Sequence, residues 1–348
     1  MSVTPALSTA GPGAPLKATT IERRDLRPDD VAIDIAYAGI CHSDIHQVRE
    51  EWGASIFPMV PGHEIAGTVS AVGDGVTTYQ VGDRVGVGCL VDSCGECEYC
   101  RGGQEQFCVK GAVVTYNGEG YDGEKTMGGY SRQIVASERF VLRIPDGIEL
   151  DVAAPLLCAG ITTYSPLKRW GAGPGTKVAV VGMGGLGHVA VKFAVALGAE
   201  VTVLSQTTSK KDDSLRYGAV DHRATSEEST FTDLAATFDV IINTVSANLP
   251  LDSYLSTLKP NGAMVNLGGP SDPCEFSAFS LLAGGKVMAG SMIGGIAQTQ
   301  EMLEVAAEHG IGAEIELISA DQADEAYDRV VNSDVRYRFV IDTSTIEA

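Results

Sequence analysis

The fold is decided by residues 177–205, which read KVAVVGMGGLGHVAVKFAVALGAEVTVLS. A short β-branched segment leads into a glycine-dense turn, a helical segment ends at Gly198, and a second strand-like segment follows. A strand, a G-x-G-x-x-G turn and a helix in this order are typical of a dinucleotide-binding β-α-β unit, whose helix N-terminus faces a pyrophosphate. The segment therefore predicts a parallel, doubly wound α/β sheet.

Each glycine of the turn has an expected role. Gly182 permits the tight turn, and Gly184 and Gly185 let the backbone approach a pyrophosphate, with Leu186 in the same loop. Gly187 allows the helix to pack closely on the strand. Strand-like segments recur at 239–245, 262–268 and 286–290, and their spacing predicts a sheet of six strands.

The end of the second strand indicates which nicotinamide cofactor is bound. An NAD site usually has an acidic residue there to hold the ribose 2′-hydroxyl. This chain has Ser205, Thr207 and Lys210 instead, with Lys211 next, and no carboxylate before Asp212. Hydroxyls and lysines suit a 2′-phosphate, which a carboxylate would repel. The prediction is NADP(H); the alternative is that these are solvated turn residues.

The run C-G-E-C-E-Y-C-R-G-G-Q-E-Q-F-C contains Cys94, Cys97, Cys100 and Cys108. Two residues between neighbouring cysteines let their thiolates point at one tetrahedral zinc ion. Four protein thiolates leave no open position, so the predicted zinc lobe, residues 89–110, is structural and not catalytic.

A disulfide framework is the alternative interpretation of these cysteines, and it needs an oxidising compartment. Residues 1–16 lack the basic start and continuous apolar stretch of a secretory signal. Cys89 and Cys274 fit no ligand pattern, and we expect both to be buried as small apolar side chains.

Length and charge exclude several classes of function. A chain of 348 residues has room for two domains. Its net charge of -20 argues against nucleic-acid binding, which needs clusters of Lys and Arg. No apolar stretch reaches the roughly 18 to 20 residues that cross a bilayer. We expect a soluble, cytoplasmic protein that binds neither nucleic acid nor membrane.

A second metal set is distributed along the chain. Cys41 lies in G-I-C-H-S-D-I-H, His63 in P-G-H-E-I-A-G, and Cys158 in L-L-C-A-G-I-T-T-Y. Taken singly, each is more typical of a buried core residue than of a ligand. Together, two thiolates and one imidazole leave the fourth position of zinc open for a substrate oxygen.

These motifs, with P-M-V-P-G-H-E, V-G-D-R-V-G-V-G, A-A-P-L-L-C-A-G and G-S-M-I-G in order, give the chain a family resemblance. It resembles the zinc-dependent medium-chain alcohol dehydrogenases of the cinnamyl-alcohol dehydrogenase group. The resemblance implies a Rossmann domain inserted in a GroES-like, partly open β-barrel catalytic domain. We expect catalytic-domain residues 1–156 and 292–348, with the NADP-binding domain at 157–291.

The resemblance also implies roles for residues around the second metal set. Cys41, His63 and Cys158 are the expected ligands of a catalytic zinc ion. Glu64 resembles the family glutamate beside the ion, which can ligate it transiently, and Asp44 resembles the carboxylate that orients the imidazole.

A proton relay is implied as well. Ser43 is expected to take the alcohol proton and to pass it through the nicotinamide ribose hydroxyl to His46, since imidazole titrates near neutrality.

Further contacts are implied on the cofactor and substrate. The expected cofactor contacts are Thr162, Thr244, Gly268, Ser291, Met292 and Ile293. Trp52 and Met292 are expected to line an apolar substrate pocket, with ordinary core packing as the alternative.

The predicted reaction is hydride transfer between NADP(H) and a primary alcohol or aldehyde, aromatic or of medium chain length, with reduction of the aldehyde favoured. Three alternatives are an NAD-dependent polyol dehydrogenase, a zinc-free quinone reductase, and a non-catalytic relative that binds zinc and nucleotide. The resemblance implies two zinc ions per chain and a homodimer or homotetramer.

Overall fold

The structure is a computed structural model that describes residues 2–270 and 272–347. The chain divides into two compact units, one formed by Met1–Ile161 and Gly294–Ala348, the other by Thr162–Ile293. The first unit thus contains both ends of the chain, and the second is inserted between them.

Within the described residues, the chain forms seventeen strands and eleven α-helices. The strands are β1 Ser2–Ser8, β2 Lys17–Arg23, β3 Asp30–Gly39, β4 Ile65–Val72, β5 Arg84–Val87, β6 Leu90–Asp92, β7 Val113–Val114, β8 Gln133–Ser137, β9 Leu142–Arg143, β10 Lys177–Val181, β11 Glu200–Ser205, β12 Asp221–Ala224, β13 Phe238–Asn243, β14 Leu258–Asn266, β15 Val287–Gly290, β16 Ile315–Ile318 and β17 Arg338–Asp342. The α-helices are α1 His42–Val48, α2 Glu98–Arg101, α3 Leu150–Ala153, α4 Ala159–Arg169, α5 Gly187–Ala196, α6 Lys211–Arg216, α7 Ser229–Asp233, α8 Leu251–Ser256, α9 Ala278–Leu282, α10 Ile296–His309 and α11 Ala323–Val331.

Over the described residues, the first unit has a seven-stranded sheet in the order β16-β17-β3-β4-β5-β9, with β8 also paired to β3. Its pairs are antiparallel except β16 with β17. The inward faces carry branched apolar side chains, including Ile33, Ile65 and Val85, which are fully buried. Because β17 pairs with β3, residues near 40 and near 340 lie side by side.

The inserted unit has, within the described residues, a six-stranded sheet in the order β12-β11-β10-β13-β14-β15. Every pair is parallel. The strands are continuous β-branched and aliphatic runs such as KVAVV because both faces of such a sheet are buried. The strand order reverses between β10 and β13, which places the switch point of a doubly wound sheet after β10. The predicted fold class is confirmed.

The three further strands predicted from the sequence are present, with ends that differ by a few residues. The predictions 239–245, 262–268 and 286–290 correspond to β13, β14 and β15. β14 begins earlier because the turn at Asn261, with φ of 65°, interrupts a strand that is already paired at Leu258. Among the helices of the described residues, none combines the length and apolar composition required to cross a bilayer.

Candidate metal centres and cofactor site

The four-cysteine lobe follows β6 and is built from the turns around α2. The four sulfur atoms lie within 4.8 Å of one another. The Sγ atoms of Cys94 and Cys100 are 3.9 Å apart, and those of Cys97 and Cys100 are 3.4 Å apart. A tetrahedral zinc ion with bonds of roughly 2.3 Å separates its sulfur ligands by about 3.8 Å. The lobe therefore has the dimensions of a four-thiolate zinc site.

The charges of the lobe also fit a divalent cation. Desolvation opposes ionisation, yet the Cys94 backbone N–H and the Tyr121 hydroxyl lower the pKa of Cys108 to about 6. Desolvation and the neighbouring thiols of Cys97 and Cys108 raise the pKa of Cys100 to about 11, so ionisation of all four thiols needs a cation. A divalent ion would remove this conflict.

A second cluster is buried within the first unit. One ligand atom from each of four residues lies within 4.8 Å of the others, namely Cys41, His63, Glu64 and Cys158. The Sγ atoms of Cys41 and Cys158 are 3.9 Å apart, the separation expected for two thiolates on one ion. The structure thus brings together residues from three distant motifs.

Local structure explains how these ligands meet. Cys41 follows β3 and caps the N-terminus of α1, while His63 and Glu64 directly precede β4, the neighbour of β3. Cys158 follows a 3₁₀ turn that ends at Leu157. The Gly39 N–H donates to the Glu64 carbonyl over 2.9 Å, which ties the ends of β3 and β4 together.

Asp44 holds the cluster in place from α1. It is fully buried, and its carboxylate accepts from the Cys41 N–H over 2.9 Å and the Gly62 N–H over 3.2 Å. Tyr130 donates its hydroxyl to the same carboxylate over 3.1 Å. His63 Nδ1 lies 3.1 Å from Asp44 Oδ1, which leaves Nε2 of the imidazole for a metal ion. Burial lowers the pKa of His63, but the charges of Asp44 and Cys89, together with hydrogen bonds to Asp44 and Cys41, raise it well above the ordinary value.

Glu64 has an arrangement that the sequence analysis did not foresee. One oxygen pairs with Arg338, which begins β17, and both side chains are buried. The other oxygen, Oε2, has no hydrogen-bond partner among the described residues. A Cβ at position 39 would lie 2.1 Å from this oxygen, so only glycine leaves room for the carboxylate. Burial raises the pKa of Glu64 to about 8. An orphaned oxygen next to two thiolates and an imidazole fits a cation.

The two predicted relay residues lie on α1. Ser43 Oγ is 3.5 Å from Cys41 Sγ, at the edge of the cluster. His46 is one turn further along, its Nδ1 hydrogen-bonded to Glu51 and its ring stacked on Trp52 at 4.5 Å. Trp52 is 52% exposed and Met292 is 57% exposed, so the core-packing alternative for these two residues is wrong.

The glycine loop has the geometry that phosphate binding requires. Gly182 has φ of 92°, in the left-handed region, and directly follows β10. A Cβ at Gly187 would lie 2.1 Å from the Gly182 carbonyl oxygen, so α5 begins in direct backbone contact with the turn. A side chain at Gly184 would meet no atom within 4 Å, which leaves open space above the loop.

The other predicted cofactor residues follow the carboxyl ends of neighbouring strands. Thr244 follows β13 and donates its hydroxyl to the Val181 carbonyl over 2.8 Å. Gly268 follows β14, and Ser291 follows β15 and donates its N–H to the Asn266 carbonyl over 3.2 Å. Thr162 is buried in α4. Parallel sheets bind ligands at this edge, outside the carboxyl ends of the strands.

Lys210 is tied to the glycine loop. Its Nζ donates to the Met183 carbonyl over 3.0 Å, which brings the lysine beside the loop. Ser205 ends β11, and Thr207 follows it. The Thr207 carbonyl lies 3.0 Å from Nε2 of His222, a buried residue on β12 that the sequence analysis missed. The segment after β11 is thus held against both β12 and the glycine loop.

The prediction of burial is wrong for Cys274 and holds only in part for Cys89. Cys274 is exposed and Cys89 is only partly buried. Cys274 lies in the irregular segment before α9, where no core covers it. Cys89 follows β5, and its Sγ is 4.0 Å from the Leu157 carbonyl, beside the second cluster without belonging to its four residues.

Comparison with known proteins agrees with the fold and the metal clusters described above. The family model for the alcohol dehydrogenase GroES-like domain matches residues 27–146, and that for the zinc-binding dehydrogenase matches residues 185–308. The chain belongs to the zinc-binding alcohol dehydrogenase family. It is an oxidoreductase, and the predicted reaction class is confirmed.

Three similar proteins show the range of activities named among the relatives of this chain. A probable formaldehyde dehydrogenase of Bacillus subtilis is 63% identical over 98% of this chain and 97% of its own length. An NADP-dependent alcohol dehydrogenase C of Mycolicibacterium smegmatis is 60% identical over the whole of both chains. A cinnamyl alcohol dehydrogenase structure from Sorghum bicolor superposes with a TM-score of 0.96 at 43% identity, covering 100% of both chains.

Proposed function

We propose that this protein is a zinc-dependent, NADP(H)-dependent alcohol dehydrogenase that interconverts primary alcohols and aldehydes and favours aldehyde reduction. The observation that carries the proposal is the buried cluster of Cys41, His63, Glu64 and Cys158, with its orphaned carboxylate oxygen. A closed structural zinc site needs four permanent ligands. A carboxylate that is paired to an arginine suits a site in which ligands exchange instead.

Each side chain of the buried cluster has a separate proposed role. Cys41, His63 and Cys158 would hold a zinc ion, which when bound supplies a Lewis acid for a substrate oxygen. Arg338 pairs with one oxygen of Glu64, and the other oxygen, which has no hydrogen-bond partner, would be available to the ion as a further ligand. Asp44 fixes the imidazole through Nδ1.

The proton of the alcohol needs a route to solvent from a buried cluster. Ser43 lies beside Cys41, and His46 follows three residues later on the same helix, so both face the same side of α1. Ser43 would accept the alcohol proton as it gives up its own hydroxyl proton, and His46 would release a proton to solvent. Glu51 orients the imidazole of His46.

The cofactor is proposed to be NADP(H). Gly182, Gly184, Gly185, Leu186 and Gly187 would hold the pyrophosphate at the start of α5. A second group, after β11, would hold the 2′-phosphate, and consists of Ser205, Thr207 and Lys210. The name of the Mycolicibacterium relative supports the same cofactor.

The structural ion would be held by the lobe cysteines and would stabilise the fold. The two compact units are proposed as the catalytic domain and the NADP-binding domain of the sequence analysis. A cytoplasmic location is proposed from the acidic composition.

Self-association is proposed for the inserted unit. β15 pairs only with β14 within the described residues, so its second edge is open. The helix that precedes β15 in the chain, α9, carries exposed apolar side chains, since Phe279 is 77% exposed and Leu282 is 71% exposed. An open edge with exposed apolar neighbours favours pairing with a second copy. A homodimer, or a tetramer built from it, would cover this surface.

The substrate is proposed to be an apolar aldehyde, aromatic or of medium chain length, contacted by Trp52 and Met292. The relatives' names differ on this point, since one is a formaldehyde dehydrogenase and another acts on cinnamyl alcohol. Initial rates with cinnamaldehyde, benzaldehyde and formaldehyde, each with NADPH and NADH, test the proposal. Faster turnover of the aromatic aldehydes with NADPH is expected. Formaldehyde turnover alone would contradict the substrate class, and a preference for NADH would contradict the cofactor.

A further inference from the structure

The N-terminus of α10 is capped by a residue of the zinc lobe. Its N-cap position is Gly295, which has no side chain to satisfy the first N–H groups of the helix. The Ile296 N–H donates instead to Glu105 Oε2 over 3.0 Å. A carboxylate at this position pairs with a free N–H group and with the positive end of the helix dipole.

Glu105 belongs to the lobe by sequence and by structure. It lies between Cys100 and Cys108, within the loop that a structural ion would close. Its carbonyl accepts the Cys108 N–H over 3.0 Å. The cap is therefore held in place by the same short segment that carries two of the four thiolates.

Backbone contact reinforces the cap. A Cβ at Gly295 would lie 1.8 Å from the Gly103 carbonyl oxygen and 2.6 Å from Glu105 Oε2. The lobe therefore rests directly on the backbone at the start of α10. One turn later, Gln300 exchanges two hydrogen bonds with the backbone of Arg143, of 2.9 and 3.1 Å. The first two turns of α10 are therefore held at two positions, Gly295 and Gln300.

The chain immediately before this cap is strained. Ile293 has φ of 42°, which a β-branched residue rarely adopts. A Cβ at Gly294 would lie 2.6 Å from Ile161 Cδ1, so no larger residue fits there. Strained backbone persists only where its surroundings hold it. Glu105 and Gly103 provide such an anchor at the end of the segment Ser291–Gly295.

We propose that Glu105 is a positioning residue through which the zinc lobe fixes the cofactor-binding segment Ser291–Gly295. This inference rests on the proposed function, in which Ser291, Met292 and Ile293 contact NADP(H). The lobe then contributes to cofactor affinity as well as to stability, although Glu105 itself touches neither cofactor nor substrate.

Three variants of the full-length, zinc-loaded protein test the proposal. Glu105→Ala removes the cap, and Glu105→Gln retains an oxygen acceptor without the charge. Glu98→Ala is the matched control, because Glu98 is an exposed acid of the same lobe on α2. Hydrogen exchange of the peptide spanning 291–300, zinc content, and the Kd for NADPH are measured on each, together with KM and kcat.

Loss of a helix cap should increase opening of the first turn about fivefold. We expect faster exchange at 291–300 and a Kd and KM for NADPH raised about three- to tenfold in Glu105→Ala. Glu105→Gln should show a smaller change, and Glu98→Ala should match the unaltered protein with equal zinc content. Unchanged exchange in Glu105→Ala would overturn the proposal, as would faster exchange with an unchanged Kd. Failure of the unaltered protein to bind NADPH would overturn the proposed function, and exchange would then alone decide the role of Glu105.

Discussion

The two metal clusters of this protein use similar ligands in opposite ways. The lobe takes four thiolates from fifteen consecutive residues, 94–108, and two of them are only partly buried. The second cluster draws on three distant motifs, and all four of its residues are buried. The lobe is complete without any other group. The buried cluster contains a carboxylate shared with Arg338, and we propose that this difference separates a site that stabilises the fold from one that exchanges ligands.

Cys158→Ser is expected to have the largest effect. Losing a thiolate of the buried cluster should lower kcat by about a thousandfold or more, because the Lewis acid contributes several kcal/mol to the transition state. Circular dichroism should show a folded protein, and metal analysis should show one zinc ion fewer per chain.

Cys89→Ser is the matched control for that variant. Cys89 lies beside the same cluster but outside its four residues. Its kcat should stay within about twofold of the unaltered protein. An equal loss in both variants would show that the cluster has been assigned to the wrong thiol.

Cys108→Ser tests the other half of the comparison. Removing one lobe thiolate should lower Tm by roughly 10 °C or prevent soluble expression, since a structural ion contributes folding free energy directly. Differential scanning calorimetry measures this, and Cys274→Ser, at an exposed cysteine outside the lobe, serves as the control. A Cys108→Ser protein as heat-resistant as its control would refute a structural role.

Asp44→Asn sharpens the role of the residues behind the ligands. The carboxylate accepts from Cys41, Gly62 and Tyr130, and an amide nitrogen cannot replace either oxygen. We expect zinc affinity at the buried cluster to fall about 10- to 100-fold, with the lobe still loaded. Competition with a chromophoric chelator measures it. Loss of both ions together would mean that Asp44 supports the whole fold.

Lys210→Ala tests the cofactor assignment. KM for NADPH should rise about tenfold through loss of a charge-assisted contact, whereas KM for NADH should change by less than about twofold. Lys211→Ala is the control, because Lys211 faces Asp221 at 4.0 Å. Lys210 also donates to the Met183 carbonyl, so equal effects on both cofactors would assign it to the loop and not to the phosphate.

His46→Ala should have the smallest effect. Alcohol oxidation is expected to slow by a few fold, most strongly below neutral pH, where solvent base is scarce. The pH dependence of kcat measures it. An unchanged profile would mean that the proton leaves by a route that does not include His46.

The sequence was sufficient to predict a site where the residues of that site lie close together along the chain. The glycine loop and the four cysteines have local spacings, so residues 177–205 and 94–108 predicted their geometry directly. Sequence reasoning missed Arg338, because it meets Glu64 only through the pairing of β17 with β3, 274 residues away. Gly39 was also missed, although a glycine two residues before a ligand cysteine was a visible signal.

Side-chain burial was harder to predict than fold. Cys274 was expected inside, yet it lies in an irregular segment that no core covers. Burial depends on which elements pack over a residue, and an isolated cysteine has no periodicity to reveal this. The high solvent exposure of Trp52 likewise could not be predicted from the residues next to it in the sequence.

Stepwise removal of zinc distinguishes the two metal sites in a single experiment. A chelator is titrated while zinc content, NADPH-dependent reduction of benzaldehyde and Tm are followed in the same samples. Two zinc ions per chain should leave in separable steps, one abolishing turnover with little change in Tm and the other lowering Tm. Activity and Tm that fall together in a single step, or a protein that holds only one zinc ion when fully active, would contradict the account.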